Sequence, residues 1–194
     1  MLEELIAKAR GFIFNPVETF QQSRPDEVRT VLAYFIPLLL FDAVMTAIVS
    51  FLESLVFPIG LSAIFGVFFP VVLFFGVLLG GTIILLLFTV WVHLLVYLAG
   101  GRKGIFQTFK ALTYGLTPSY LLHWIPLVGI IFDLWSIILM ILGIRELQEI
   151  SSGRALAVMA IAIMIPVILL ILLAMYLFVS MTSQTVPVAP FNML

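Results

Sequence analysis

Residues 54–101 read SLVFPIGLSAIFGVFFPVVLFFGVLLGGTIILLLFTVWVHLLVYLAGG, and His93 is the only side chain among them that titrates near neutral pH. One helix over this stretch would reach about 70 Å, more than twice the roughly 30 Å hydrocarbon layer of a bilayer. It must be broken. The break signals lie early, at Phe57-Pro58-Ile59-Gly60 and again at Gly66 and Pro70.

Charge sidedness decides whether the stretch crosses a membrane once or twice, because cytoplasmic loops are enriched in Lys and Arg. Let residues 54–69 be a re-entrant or interfacial piece and residues 70–98 one span. All nine basic residues then fall on one side: Lys8, Arg10, Arg24, Arg29, Arg102, Lys103, Lys110, Arg145 and Arg154. With two crossings the last five move outside, leaving four in and five out. The single crossing is the reading adopted.

The other spans follow outward from this one. Residues 30–51 are apolar except for Asp42 and are long enough to cross. Residues 105–124 form a third span entered from Arg102-Lys103, and a tight Ile125-Pro126-Leu127-Val128-Gly129 hairpin leads into a fourth over 130–144. A polar connection over 145–154 precedes a fifth span at 155–179, and the uncharged tail 181–194, with Pro187 and Pro190, is expected to be extended and external. The fold class is therefore all-α: a five-span transmembrane bundle over residues 28–180, with cytoplasmic or interfacial N-terminal helices over 1–27. A cell-membrane, multi-pass protein with a cytoplasmic N-terminus and an external C-terminus is expected.

Composition supports the same class. The chain is 63% hydrophobic and 10% charged, against roughly 45–50% and about 25% in soluble domains. A chain of 194 residues cannot hide that surplus in a core, so lipid must cover part of it. The net charge of -1 offers no basic stripe for nucleic acid. With no cysteine, disulfides and thiol chemistry are excluded. Residues 1–14 space Leu2, Leu5, Ile6, Ala9, Phe12 and Ile13 as an amphipathic interfacial helix, and the acidic start Met1-Leu2-Glu3-Glu4 does not read as a cleavable signal. Asn15-Pro16-Val17-Glu18 reads as a capped helix start, and Ser23-Arg24-Pro25-Asp26-Glu27 as another.

Several motifs resemble the Yip1-domain family. They are Tyr114-Gly115-Leu116-Thr117-Pro118, Ile125-Pro126, Trp135, Gly143-Ile144-Arg145-Glu146, Ile150-Ser151 and Arg154-Ala155. Asn15-Pro16-Val17-Glu18-Thr19-Phe20 is similar to the segment before the first span in prokaryotic members. The resemblance implies five spans and a cytoplasmic N-terminus. Eukaryotic relatives are trafficking factors that engage Rab-type GTPases and form complexes with one another. Their Asp-Leu-Tyr-Gly-Pro signature is replaced here by Asp26-Glu27-Val28-Arg29-Thr30, so a Rab-type partner is not expected.

Ionisable groups inside a bilayer are functional candidates by default. Asp42, Thr46, Ser50 and Glu53 share one helical stripe, with Asp42 about 16 Å below Glu53. With Asp133 and His123 they make a candidate polar track for a cation, protons or a lipid headgroup. The structural alternative is that Asp42 and Asp133 fix helix packing through hydrogen bonds. His93 belongs to a second stripe with Thr82, Thr89 and Tyr97, as a packing residue or a pH sensor. Ser119, His123 and Asp133 are the residue types of a hydrolytic triad without its nucleophile turn. Gly76 and Gly80 form a small-residue motif, either a homo-oligomer face or packing within the monomer. No metal-ligand spacing or nucleotide fingerprint occurs, so no cofactor is expected. Two functions remain: a non-enzymatic membrane organiser that meets lipid and other membrane proteins, or a small channel or transporter built on the intramembrane acids.

Overall fold

The computed structural model describes residues 2–57 and 60–185, and the described residues are helical with no strand. The helices are α1 (Leu2–Phe14), α2 (Pro16–Gln22), α3 (Val28–Val56), α4 (Leu61–Phe65), α5 (Phe69–Phe75), α6 (Gly81–Leu98), α7 (Ile105–Gly115), α8 (Thr117–Leu122), α9 (Gly129–Gln148) and α10 (Ser152–Thr185). Two compact units are present, Met1–Met159 and Ala160–Leu194. Helix α10 contributes residues 152–159 to the first and forms the described part of the second. Three stretches are long and apolar enough to cross a membrane: Val28–Val56, Leu61–Leu98 and Ser152–Thr182.

The long apolar stretch breaks where glycine permits. Gly66 takes φ +53, a left-handed conformation that costs glycine nothing, and it closes α4. Helix restarts at Phe69 with Pro70 in its first turn, where a missing N–H is not needed. From there it continues through one wider π turn at Gly76–Gly80 to Leu98. The Pro58-Ile59 break signal lies outside the described residues, as does the tail with Pro187 and Pro190.

α7 and α9 form the tightest pair in the first unit. They run antiparallel, with the Gln148 amide bonded to Thr108 at one end and Gly115 against Met140 at the other, beyond which Ser119 of α8 bonds Ser136. Gly115 is what lets them approach: a Cβ there would sit 2.8 Å from the Met140 nitrogen. The segment read as one span over 105–124 begins as two helices that meet at Leu116. Pro118 falls in the first turn of α8, so the interruption precedes the proline rather than sitting on it. α3 runs beside this pair, with Tyr34 bonded to Thr117 at 2.8 Å and Phe41 edge-on to Trp124.

The N-terminal helices fold back on the bundle. Phe12, fully buried, stacks on Tyr114 at 4.7 Å and packs against Phe20 at 4.8 Å. Pro16 opens α2 as expected, but Asn15 makes no side-chain cap. The Asn15 carbonyl instead accepts from the Thr19 hydroxyl at 2.8 Å, while exposed Glu18 accepts from Gln22 at 3.1 Å. Glu18 has a side-chain partner one turn ahead, so it does not reach back as a capping box requires. Glu27, not Ser23, precedes the first turn of α3, also without a side-chain cap.

Candidate functional site

Two polar clusters stand at opposite ends of the first unit. At the end away from the basic residues, Asp133 lies between two partners. Its Oδ1 accepts from Ser119 at 2.8 Å, and its Oδ2 meets His123 Nδ1 at 3.0 Å. Ser119 also shares a bond with Ser136 at 2.8 Å. A Ser-His-Asp relay needs the imidazole between hydroxyl and carboxylate. Here the carboxylate is the middle member, so Ser119 faces Asp133 rather than a base poised to take its proton.

Beside this cluster runs the α3 stripe. Thr46, Ser50, Glu53, His123 and Trp124 border a cavity of about 220 Å³. A second cavity of about 400 Å³ shares Ser50 and Glu53 and is otherwise lined by Ser54, Phe57, Ser62 and Phe69. Asp42, 7% exposed, lies one turn deeper and within the electrostatic field of His123 and Asp133. Its Oδ1 and Thr46 Oγ1 are both buried, and the only side-chain partner either has is the other. The structure therefore gathers Glu53, His123 and Asp133 at one mouth, with Asp42 behind them.

His93 does not join this group. Its Nδ1 meets Thr108 Oγ1 at 2.9 Å, and Thr108 in turn accepts from the Gln148 amide at 2.9 Å. Gln148 also donates to the Gly104 carbonyl and accepts from the Lys103 N–H, tying α6, α7 and α9 together. The hydroxyls of Thr82 and Thr89 are occupied by carbonyls of their own helix, Leu78 and Leu85.

The basic end holds a network that sequence reasoning missed. Lys8 pairs with Asp26, and both bond to the Tyr114 hydroxyl. Lys110, 1% exposed, donates to three backbone carbonyls, of Ser23 at 3.3 Å, Arg24 at 2.6 Å and Asp26 at 3.2 Å. It thereby clamps the α2–α3 connection onto α7. The signal was present in the sequence: Lys110 lies midway between Phe106 and Tyr114 at helical spacing, where an apolar residue belongs. The resembling motif residues are mostly structural here. Tyr114 and Gly115 seat α1 and α9, Pro118 opens α8, Pro126 borders the smaller cavity, and Trp135 is half-buried on α9. Gly76 and Gly80 are different: a Cβ at either would meet nothing within 4 Å.

Two glutamates complete the basic end. Burial pushes the Glu146 carboxyl up, but bonds from Gln21 and Arg145 and the charges of Arg145 and Arg24 outweigh it and hold it below the usual value. Glu149 is lowered by its bond to Lys103 and by the charges of Lys103 and Arg24. Groups depressed in the folded state stabilise it fully above the ordinary glutamate pKa of 4.5 and lose that contribution as pH falls through the lower folded values. Thermal unfolding in detergent should therefore show Tm falling as pH drops below about 4.5. A double variant Glu146→Gln/Glu149→Gln should flatten that dependence.

The family model described as Yip1 domain matches residues 10–182. No curated protein and no solved structure matches the chain.

Proposed function

The chain belongs to the Yip1-domain family and is a membrane protein, and from this premise we propose that it acts without chemistry of its own, as an organiser that assembles with other membrane proteins or with further copies of itself. The carrying observation is the bareness of the Leu61–Leu98 helix: only 6% of its most apolar window is buried within the chain. Leu85, Thr89, Val92 and Val96 of α6 pack inside the bundle, and the apolar residues around and before them are largely free for lipid and for a second helix. Gly76 and Gly80, with open space above them, add a notch where another backbone can come close.

The reading takes five spans: α3, the Leu61–Leu98 stretch, α7 with α8, α9, and α10. It takes the basic end as cytoplasmic, in a cell membrane, with the C-terminus external. Supporting this, Lys8, Arg24, Lys103, Lys110 and Arg145 all contribute to one interlinked cluster that also holds Asp26, Glu146 and Glu149. Segregation of this kind follows the inside-positive bias. Speaking against conduction, α3 below Asp42 buries Leu39, Leu38, Phe35 and Val31, and the polar residue among them, Tyr34, has its hydroxyl bonded to Thr117.

Bifunctional cross-linking in native membranes, from a cysteine placed at Gly76, tests the proposal, since the chain has no cysteine of its own. A discrete higher-mass product carrying the chain is expected. Persistent monomers with no captured partner would count against it.

A further inference from the structure

We propose that the paired cavities along the α3 stripe bind an ammonium group, carried by a lipid headgroup or by a free amine. The two cavities meet at Ser50 and Glu53 and so make one recess around the stripe. Its walls carry what a desolvated ammonium requires. Glu53 supplies a carboxylate at the mouth, Ser50, Ser54 and Thr46 supply hydroxyl acceptors, and Phe57, Phe69 and Trp124 supply aromatic rings.

Thr46 Oγ1, on the wall, and Asp42 Oδ1 behind it are buried with only each other as side-chain partners, so both keep acceptor capacity for a donor arriving from outside. The charge balance sets the sign of that donor. Asp42, Glu53 and Asp133 stand at this end, while all Lys and Arg side chains lie in the α1–α3 entry, around residues 102–110 and at 145–154, and His123 is already paired with Asp133. An ammonium donor suits the surplus of acid, and a phosphate without an amine is repelled by it. The recess also opens where three aromatic rings border the stripe, as at the headgroup level of a bilayer. Amine binding here does not depend on the partner-assembly reading, and cross-linking from Gly76 does not bear on it.

The test is native mass spectrometry of the delipidated full chain titrated with phosphatidylethanolamine or phosphatidylglycerol of matched acyl chains. The wild type should retain the ethanolamine lipid about tenfold better, the size of one charge-assisted contact. Glu53→Gln should erase that preference. Glu53 is exposed, so this change leaves the fold intact. Thr46→Val should weaken retention, because it removes a hydroxyl acceptor from the wall. Glu149→Gln, at the opposite end, should change nothing. Soluble ethanolamine then separates the sources. Displacement of the lipid at millimolar concentration, lost in Glu53→Gln, supports a site for amines in general, and no displacement supports a site for the lipid-borne amine. Equal retention of both lipids by the wild type, or a preference that survives both Glu53→Gln and Thr46→Val, overturns the proposal.

Discussion

Lys110→Met should release the N-terminal helices from the bundle and lower stability by about 3 kcal/mol or more. The ammonium is almost wholly enclosed and holds three carbonyls of the α2–α3 connection at once. Methionine fills a similar volume but donates nothing. Each carbonyl left dry costs about 1–3 kcal/mol, and partial access of water to the connection recovers some of it. The segment is therefore expected to open rather than stay seated with empty acceptors. Ser23, 3% exposed, reports the opening directly. A cysteine at Ser23 should resist a water-soluble maleimide in the parent and react at least tenfold faster alongside Lys110→Met, a change of about 1.4 kcal/mol in local opening. Unchanged protection would show that Phe12 and Phe20 alone hold the segment down.

Gly115→Ala should cost about 2–3 kcal/mol and lower Tm in detergent by several degrees. The added methyl would lie 2.8 Å from the Met140 nitrogen and 2.9 Å from its Cα. Both are backbone atoms, which no rotamer change can move aside. α7 and α9 must therefore separate. The Thr108–Gln148 bond of the pair and the Ser119–Ser136 bond between α8 and α9 would lengthen together. Gly143→Ala is the milder companion. Its methyl meets the Phe20 ring at 2.7 Å and Ala111 Cα at 3.1 Å, and a ring can tilt where a backbone cannot. If Gly115→Ala melts with the parent, the close approach of the two helices is not what holds this half of the bundle.

What could be read in advance divides along a physical line. Hydropathy and charge bias are carried by each residue independently of its contacts, so the helical class, the apolar stretches and the clustering of Lys and Arg were legible. Gly66 and Pro70 marked the interruption before the second long helix for the same local reason. Helical spacing also placed Thr46, Ser50 and Glu53 on one face, and they share a cavity wall. Asp133 and His123 were grouped only as members of a polar track and as triad residue types, and the bond between them depends on the hairpin that ties α8 to α9. The basic-end network was not legible. Lys8, Asp26, Lys110 and Tyr114 come from three separated parts of the chain, and no local pattern encodes which buried lysine will find which carbonyls. His93 looked like a lone histidine because its partner, Thr108, lies across a helix junction.

The seating of α1 against Tyr114 also has a bearing on synthesis. Phe12 and Lys8 leave the ribosome early, yet their seat is built from residues about a hundred positions later. Until α7 has been made, the first two helices lack this seat, and Phe12 is without the ring it stacks on. Assembly of this end is thus a late event in the life of the nascent chain, although it involves residues translated well before α7.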